Sequence, residues 1–164
     1  MRRCFWTLLS LATSVAVSSG PVSGQVVGQE DAVLQGIAAV DAQVSVTWKD
    51  AITKDGGPTE TQYQQDYLGA FRSVLSQGGL QISDEAPNYL FCSIALVYDS
   101  DTGVVSAAQT VEYHEPMGPE NQWAITWMLS QVYTVGLQNF GGADDAQWCG
   151  TRFVESWRSG NGGA

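Results

Sequence analysis

Residues 90–113 read LFCSIALVYDSDTGVVSAAQTVEY, and this stretch decides the fold. Leu90, Cys92, Ile94 and Leu96 alternate with Phe91, Ala95 and Val97. Apolar side chains on both faces are the pattern of a strand buried on both sides, at the middle of a sheet. Asp99-Ser100-Asp101-Thr102-Gly103 supplies turn chemistry for a hairpin. The return strand sets Val105, Ala107, Val111 and Tyr113 inward and Ser106, Thr110, Glu112 and His114 outward.

Upstream, from Ile37, alternation is strict. Val40, Ala42, Val44, Val46 and Trp48 fall on one face, and Asp41, Gln43, Ser45, Thr47 and Lys49 on the other, a half-buried strand. A polar loop, 50–58, leads to a helix over 59–78. Thr59 with Gln62 forms a capping box, and Tyr63, Tyr67, Phe71, Val74 and Leu75 line one face with Leu68 beside them. Gly78-Gly79 supplies a left-handed cap against which Leu80 folds back. Leu80 and Ile82 begin a short strand, broken at Asp84 to Pro87.

Downstream, Pro116 to Asn121 turns the chain, and 122–135 alternates again with Trp123, Ile125, Trp127, Leu129 and Tyr133 on one face. Its Trp, Thr, Tyr and Val content favours strand over helix. After a loop from Gly136 to Gly142, a second helix opens at Asp144, whose carboxylate is placed to cap it, with Asp145 beside it. Cys149, Phe153 and Trp157 share its inner face, widened by Trp148 and Val154, and glycines end it. The order β-α-(β)-β-β-β-α predicts an α+β two-layer sandwich, with a mostly antiparallel sheet of four or five strands and two helices on one face. The expected organisation is a polar arm at 25–36, a single domain at 37–160 and a flexible tail at 161–164.

The N-terminus reads as a cleavable signal peptide, 1–24. Met1-Arg2-Arg3 is positive, Cys4 to Val17 carries no charge, and Val22-Ser23-Gly24 offers the small side chains that a signal peptidase accepts, with the cut between Gly24 and Gln25. The apolar run, 4–17, is shorter than the roughly 20 residues a spanning helix needs. The expectation is export to the periplasm or the extracellular space, with no transmembrane span after cleavage. Cys4 stands at the start of the apolar run and not after it, so it cannot be the lipidated first residue of a lipoprotein. Losing Arg2 and Arg3 would leave five basic residues against seventeen acidic ones, a net charge near −12. That field repels phosphate backbones and anionic lipid heads, which argues against nucleic acid as a partner. Cys92 and Cys149 would be the two cysteines left, and in an oxidising compartment they are expected to pair.

The segments YLGAFRSVLSQGGLQI, LFCSIALVYDSDTGVVSAAQTVEY and RFVESWRSGN together resemble uncharacterised exported bacterial proteins with this order of elements. The architecture is also similar to small envelope-assembly lipoproteins, such as the lipopolysaccharide-assembly partner of the outer membrane. The resemblance implies an accessory role in the cell envelope and no catalytic residue. The chain departs from those lipoproteins in having no cysteine at the expected mature N-terminus.

Reaction chemistry is thinly represented. His114 is the single histidine; it shares a face with Glu112 by alternation, while Glu115 points away. A carboxylate-based hydrolase would use Glu112 or Asp101 near His114, but a solvated polar face near a strand end explains the same residues. Asp99, Asp101 and Gly103 superficially resemble a calcium loop but are too few and lack a closing Glu. No metal site and no cofactor is expected. Aromatic residues are more informative. Trp123 and Trp127, with Tyr113, become candidate binding residues if they lie on the sheet face left uncovered by the helices. The leading expectation is an exported, non-enzymatic envelope binding or accessory protein for another envelope protein or an amphipathic ligand. The other classes are the hydrolase and a structural or inhibitory secreted domain.

Overall fold

Inward-facing positions of four strands meet the apolar faces of two helices, and the core lies between them. The computed structural model describes residues 31–49, 60–118, 120 and 122–163. The expected signal peptide, its cut at Gly24 and Gln25, the first part of the arm, the 50–58 loop and the Thr59 cap lie outside the described residues. The elements are a 3-10 turn (Asp31–Leu34), β1 (Ala39–Lys49), α1 (Glu60–Gly78), β2 (Gln81–Ile82), β3 (Tyr89–Asp99), β4 (Val104–Met117), β5 (Gln122–Gly136), a 3-10 turn (Leu137–Asn139) and α2 (Asp144–Gly160). The sheet order is β2-β1-β3-β4-β5. β1 runs parallel to β2 and β3, and the long β3–β4 and β4–β5 ladders are antiparallel, so the sheet is mixed and mostly antiparallel. The α+β architecture is the one read from the sequence.

α1 begins and ends where its apolar spacing implies. Tyr67, Phe71 and Leu75 are buried on its inner face. Gly79 takes a φ of 100°, a conformation that glycine adopts without a Cβ clash, and the Leu80 N–H donates to the Leu75 carbonyl to close the last turn. α2 buries Cys149, Phe153 and Val154 against the sheet. Cys149 is joined to Cys92 of β3, as expected, which pins α2 to the centre of the sheet. Trp157 donates its indole N–H to the Ile37 carbonyl at 3.0 Å.

Several expectations need correction. β3 is central, but among the described residues it is covered on one side only: Leu90, Cys92, Ile94 and Leu96 are buried, whereas Ala95 and Val97 are exposed and Phe91 is half-buried. An apolar run on both faces is therefore not a second layer here but a bare apolar surface. Asp144 does not cap α2. The N-cap is Ala143, which has no side-chain cap bond, and Asp144 instead accepts from the Gln147 amide at 3.2 Å. Asp145 turns inward and is buried. At the chain ends, Leu34 of the arm is fully buried. Asn161, assigned to the tail, donates to the Leu34 carbonyl at 3.1 Å and accepts from the Gly36 N–H at 3.0 Å. Gly160 runs so close to the Asp31 carbonyl that a Cβ there would collide with it.

Candidate functional site

The phase of β5 decides which residues are available to a partner. Trp127 lies opposite Tyr113, but Ile125 lies opposite His114, so Thr126 is an extra residue and the ladder carries a bulge. A single inserted residue reverses the side-chain alternation. Trp127, Leu129 and Tyr133 therefore face the helices, while Trp123 and Ile125 face the other way, although uninterrupted alternation would put all five together. Of the three candidate binding residues, Trp123 is 53% exposed, whereas Trp127 is 1% exposed and Tyr113 fully buried. Trp127 packs edge-on against Phe153 of α2, with ring centroids 5.5 Å apart. Tyr113 lies 6.0 Å from the same ring and accepts a bond at its hydroxyl from the Asn88 amide. Those two are core residues, and the structure does not bring the three together.

The uncovered face is laid out in rows by the strand register. One row carries Asp41, Tyr89, His114 and Ile125; the next Gln43, Phe91, Glu112 and Met128; then Ser45, Ser93, Thr110 and Ser130; then Thr47, Ala95, Ala108 and Val132. The first two rows form an aromatic and titratable end. The Tyr89 ring stacks on the His114 imidazole at 4.2 Å and meets the Trp123 ring edge-on at 4.8 Å. His114 donates from Nε2 to Glu112 Oε2 at 2.9 Å. The expectation of a solvated His114 is overturned, because the stack leaves it only 9% exposed. Glu115 points to the opposite face and accepts from the Tyr113 hydroxyl at 3.4 Å, as strand alternation implies. The third row is a stripe of hydroxyls, with Thr110 and Ser130 oxygens 3.0 Å apart. Small Ser and Ala side chains keep the middle of the face low, and Met128 (37%) and Val132 (54%) stand exposed along its β5 border with Ile125 (46%).

The face holds a His–carboxylate pair but not Asp101. Asp99 pairs with Val104 at the hairpin end, and His114 pairs with Tyr89 at the other. Ten residues of β4 separate the two ends, about 33 Å at strand rise. Asp101 therefore cannot act with His114. Asp99 is held below the usual carboxylate range by the Thr102 hydroxyl and by the Asp101 N–H, which donates to it at 2.9 Å. It acts as a turn-forming residue. Among the described residues no group of three or more His, Cys, Asp or Glu side chains could hold a metal ion.

A second polar group lies on the helix side, where sequence reasoning placed none. Asp145 of α2 accepts a hydrogen bond from the Tyr133 hydroxyl of β5, and the Gln131 amide donates to Gln109 of β4 at 2.5 Å. Burial pushes the Asp145 carboxyl up from its ordinary value, and the phenols of Tyr133 and Tyr67 are raised chiefly by burial, with the Asp145 charge adding to it. The sequence carried a signal for Gln109, which occupies an inward position between Ala107 and Val111. Sequence reasoning also missed Tyr89, Met128 and Val132, which strand alternation puts on the outer face with Phe91, Glu112 and Thr110.

No protein-family model matches the chain, and no curated protein matches it. Among solved structures it is similar to the PelC dodecamer from Paraburkholderia phytofirmans. A single-substitution variant of that protein has a TM-score of 0.46 at 16% identity, and a second structure 0.45 at 15%; each comparison covers 84% of this chain and 97% of the other. The crystal structure of an uncharacterized protein has a TM-score of 0.34 at 11% identity, covering 74% of this chain and 87% of the other. With TM-scores below 0.5, these likenesses carry no argument.

Proposed function

We propose that the chain is an exported, non-enzymatic binding or accessory protein of the cell envelope that takes a partner protein or amphipathic ligand on its uncovered sheet face. One observation carries this reading: Trp123, Ile125, Met128 and Val132 are exposed on a face where, among the described residues, no helix packs. A bare row of apolar side chains bordered by hydroxyls and a His–Glu pair suits a ligand with both apolar and polar parts. Export is supported by the Cys92–Cys149 bridge, which fits an oxidising compartment, and by the leader-like N-terminus. Among the described residues no helix is long and apolar enough to cross a membrane.

The test uses tryptophan fluorescence. A nonionic dodecyl amphiphile, added below its micellar concentration, should blue-shift the difference spectrum between the wild-type chain and Trp123→Phe. It should also slow amide exchange in β4 and β5. An unchanged difference spectrum, with unchanged exchange in periplasmic extract as well, refutes the reading.

A further inference from the structure

The two edges of the sheet are treated differently. On β1 the outward carbonyls are occupied one after another. Ala38 and Val40 accept from the Gln81 and Ser83 N–H groups at 3.3 and 3.0 Å. Ala42 accepts from the Arg72 guanidinium at 3.1 Å, and Val44 from the Gln64 amide at 2.7 Å. Arg72 is held in place by Asp84 at 2.8 Å. Side chains of α1 thus close this edge where the two-residue β2 ends, one of the ways proteins prevent unwanted strand pairing.

Among the described residues the Asp31–Leu34 turn comes near β5, but no hydrogen bonds of this kind close the outer edge of the strand. β5 is the last strand of the sheet, it runs fifteen residues as QWAITWMLSQVYTVG, and it contains neither a charged residue nor a proline. Among the described residues no main-chain group of another element bonds its outer edge. The Thr126 bulge disturbs only its first part, and Trp127 to Gly136 pairs with β4 without interruption. A long, regular, uncharged edge is a template for another strand.

We propose that the outer edge of β5 pairs antiparallel with β5 of a second copy of this chain, joining two sheets across a two-fold axis near Ser130. Charge opposes a second copy less at this place than elsewhere on the chain. The chain carries a net charge of −10, so two molecules repel over most approaches, yet β5 itself is neutral. The nearest carboxylate on the bare face, Glu112, sits one strand inward, opposite Met128. Across the joined sheet the two Glu112 side chains would lie about 14 Å apart or more, from three strand spacings. That exceeds the screening length of ~8 Å at physiological salt. With the axis at Ser130, Met128 meets Val132 of the partner subunit and Ser130 meets its own counterpart, apolar on apolar and hydroxyl on hydroxyl. With the β1 edge bonded from Ala38 to Val44, head-to-tail growth is opposed and pairing stops at a dimer.

The experiment is sedimentation of the purified disulfide-bonded chain, with Met128→Lys/Val132→Lys and Ser130→Cys variants. Both lysines project from the bare face, so they leave the core intact, and an unchanged melting temperature checks this. A dimer is expected in the wild type, with dissociation strengthened at least tenfold in the double-lysine variant. Ser130→Cys should give a covalent dimer on mild oxidation, and Thr47→Cys on β1 should not. A wild-type chain that stays monomeric to about 0.1 mM overturns the proposal. So does a dimer insensitive to the lysines, or a monomer whose outer β5 amides resist exchange because residues 1–30 or another protein's strand cover them. Failure here leaves the ligand reading standing, because that reading is measured at Trp123.

Discussion

Removing the Cys92–Cys149 bridge should be the most damaging small change to this fold, and its size follows from the chain. Both sulfurs are fully buried, one on β3 and one on α2, 57 residues apart. In the chain-entropy model a loop of that length costs the unfolded state about 14 cal/mol/K, or about 4 kcal/mol at 25 °C. Replacing both cysteines by alanine adds a little for the lost sulfur volume and returns some energy from residual structure in the unfolded chain. The expected loss for Cys92→Ala/Cys149→Ala is therefore about 3–4 kcal/mol, about 10–20 °C in melting temperature for a domain of this size. Urea unfolding followed by tryptophan fluorescence measures it, and the same shift should appear when the wild type is reduced. The urea dependence should also steepen, because the uncrosslinked chain exposes more surface. A fully reduced wild type as stable as the oxidised one would refute the reasoning, as would denatured protein that titrates two free thiols without reductant.

The β5 bulge predicts opposite outcomes for two tryptophans. Trp127→Ala should cost about 3–5 kcal/mol in urea unfolding as a core truncation, while Trp123→Ala should cost about 1 kcal/mol or less, mainly its edge contact with Tyr89. Gly160→Ala should separate the end of α2 from the Asp31–Leu34 turn, lowering stability by about 1–3 kcal/mol; calorimetry checks it. The raised carboxyl of Asp145 gives a pH signature. Its folded value lies above its unfolded value, so the penalty for burying the charge is present at neutral pH and is relieved as pH falls through the folded value toward ~3.9. Asp145→Asn keeps an acceptor for Tyr133 and abolishes the titration. The stability difference should therefore shift in favour of the wild type on going from pH 7 to pH 4, measured by urea unfolding at each pH.

Much of this architecture was legible because period and turn chemistry agreed. β1, α1, the β3–β4 hairpin and the inner face of α2 all repeat at the spacing of their element, and Gly79 stands where the helix must stop. The Cys92–Cys149 pairing was legible too, since each cysteine fell on an inward face. Legibility failed where one residue changes phase or where burial depends on distant chain. Nothing in Ala124 to Met128 marks Thr126 as an insertion, so the alternation was carried through it and Trp123 was grouped with Trp127. Nor does alternation reveal what covers a face. Phe91, Ala95 and Val97 read as doubly buried because apolar residues on a bare face and in a core are the same letters. Asp145 read as part of the acidic start of α2 because helix starts favour acidic residues, whereas its burial depends on Tyr133, twelve residues away on a neighbouring strand.

Among the described residues one side of the sheet is bare while the other is packed, and the bulge assigns each aromatic residue to its side. Hydroxyl-radical footprinting of the oxidised chain, read by mass spectrometry, tests this most directly. Trp123 and Met128 should be labelled rapidly, and Trp127, Tyr113 and Phe153 should be protected until the protein unfolds. Trp127 labelled as fast as Trp123, or Trp123 protected in the isolated chain, would contradict it.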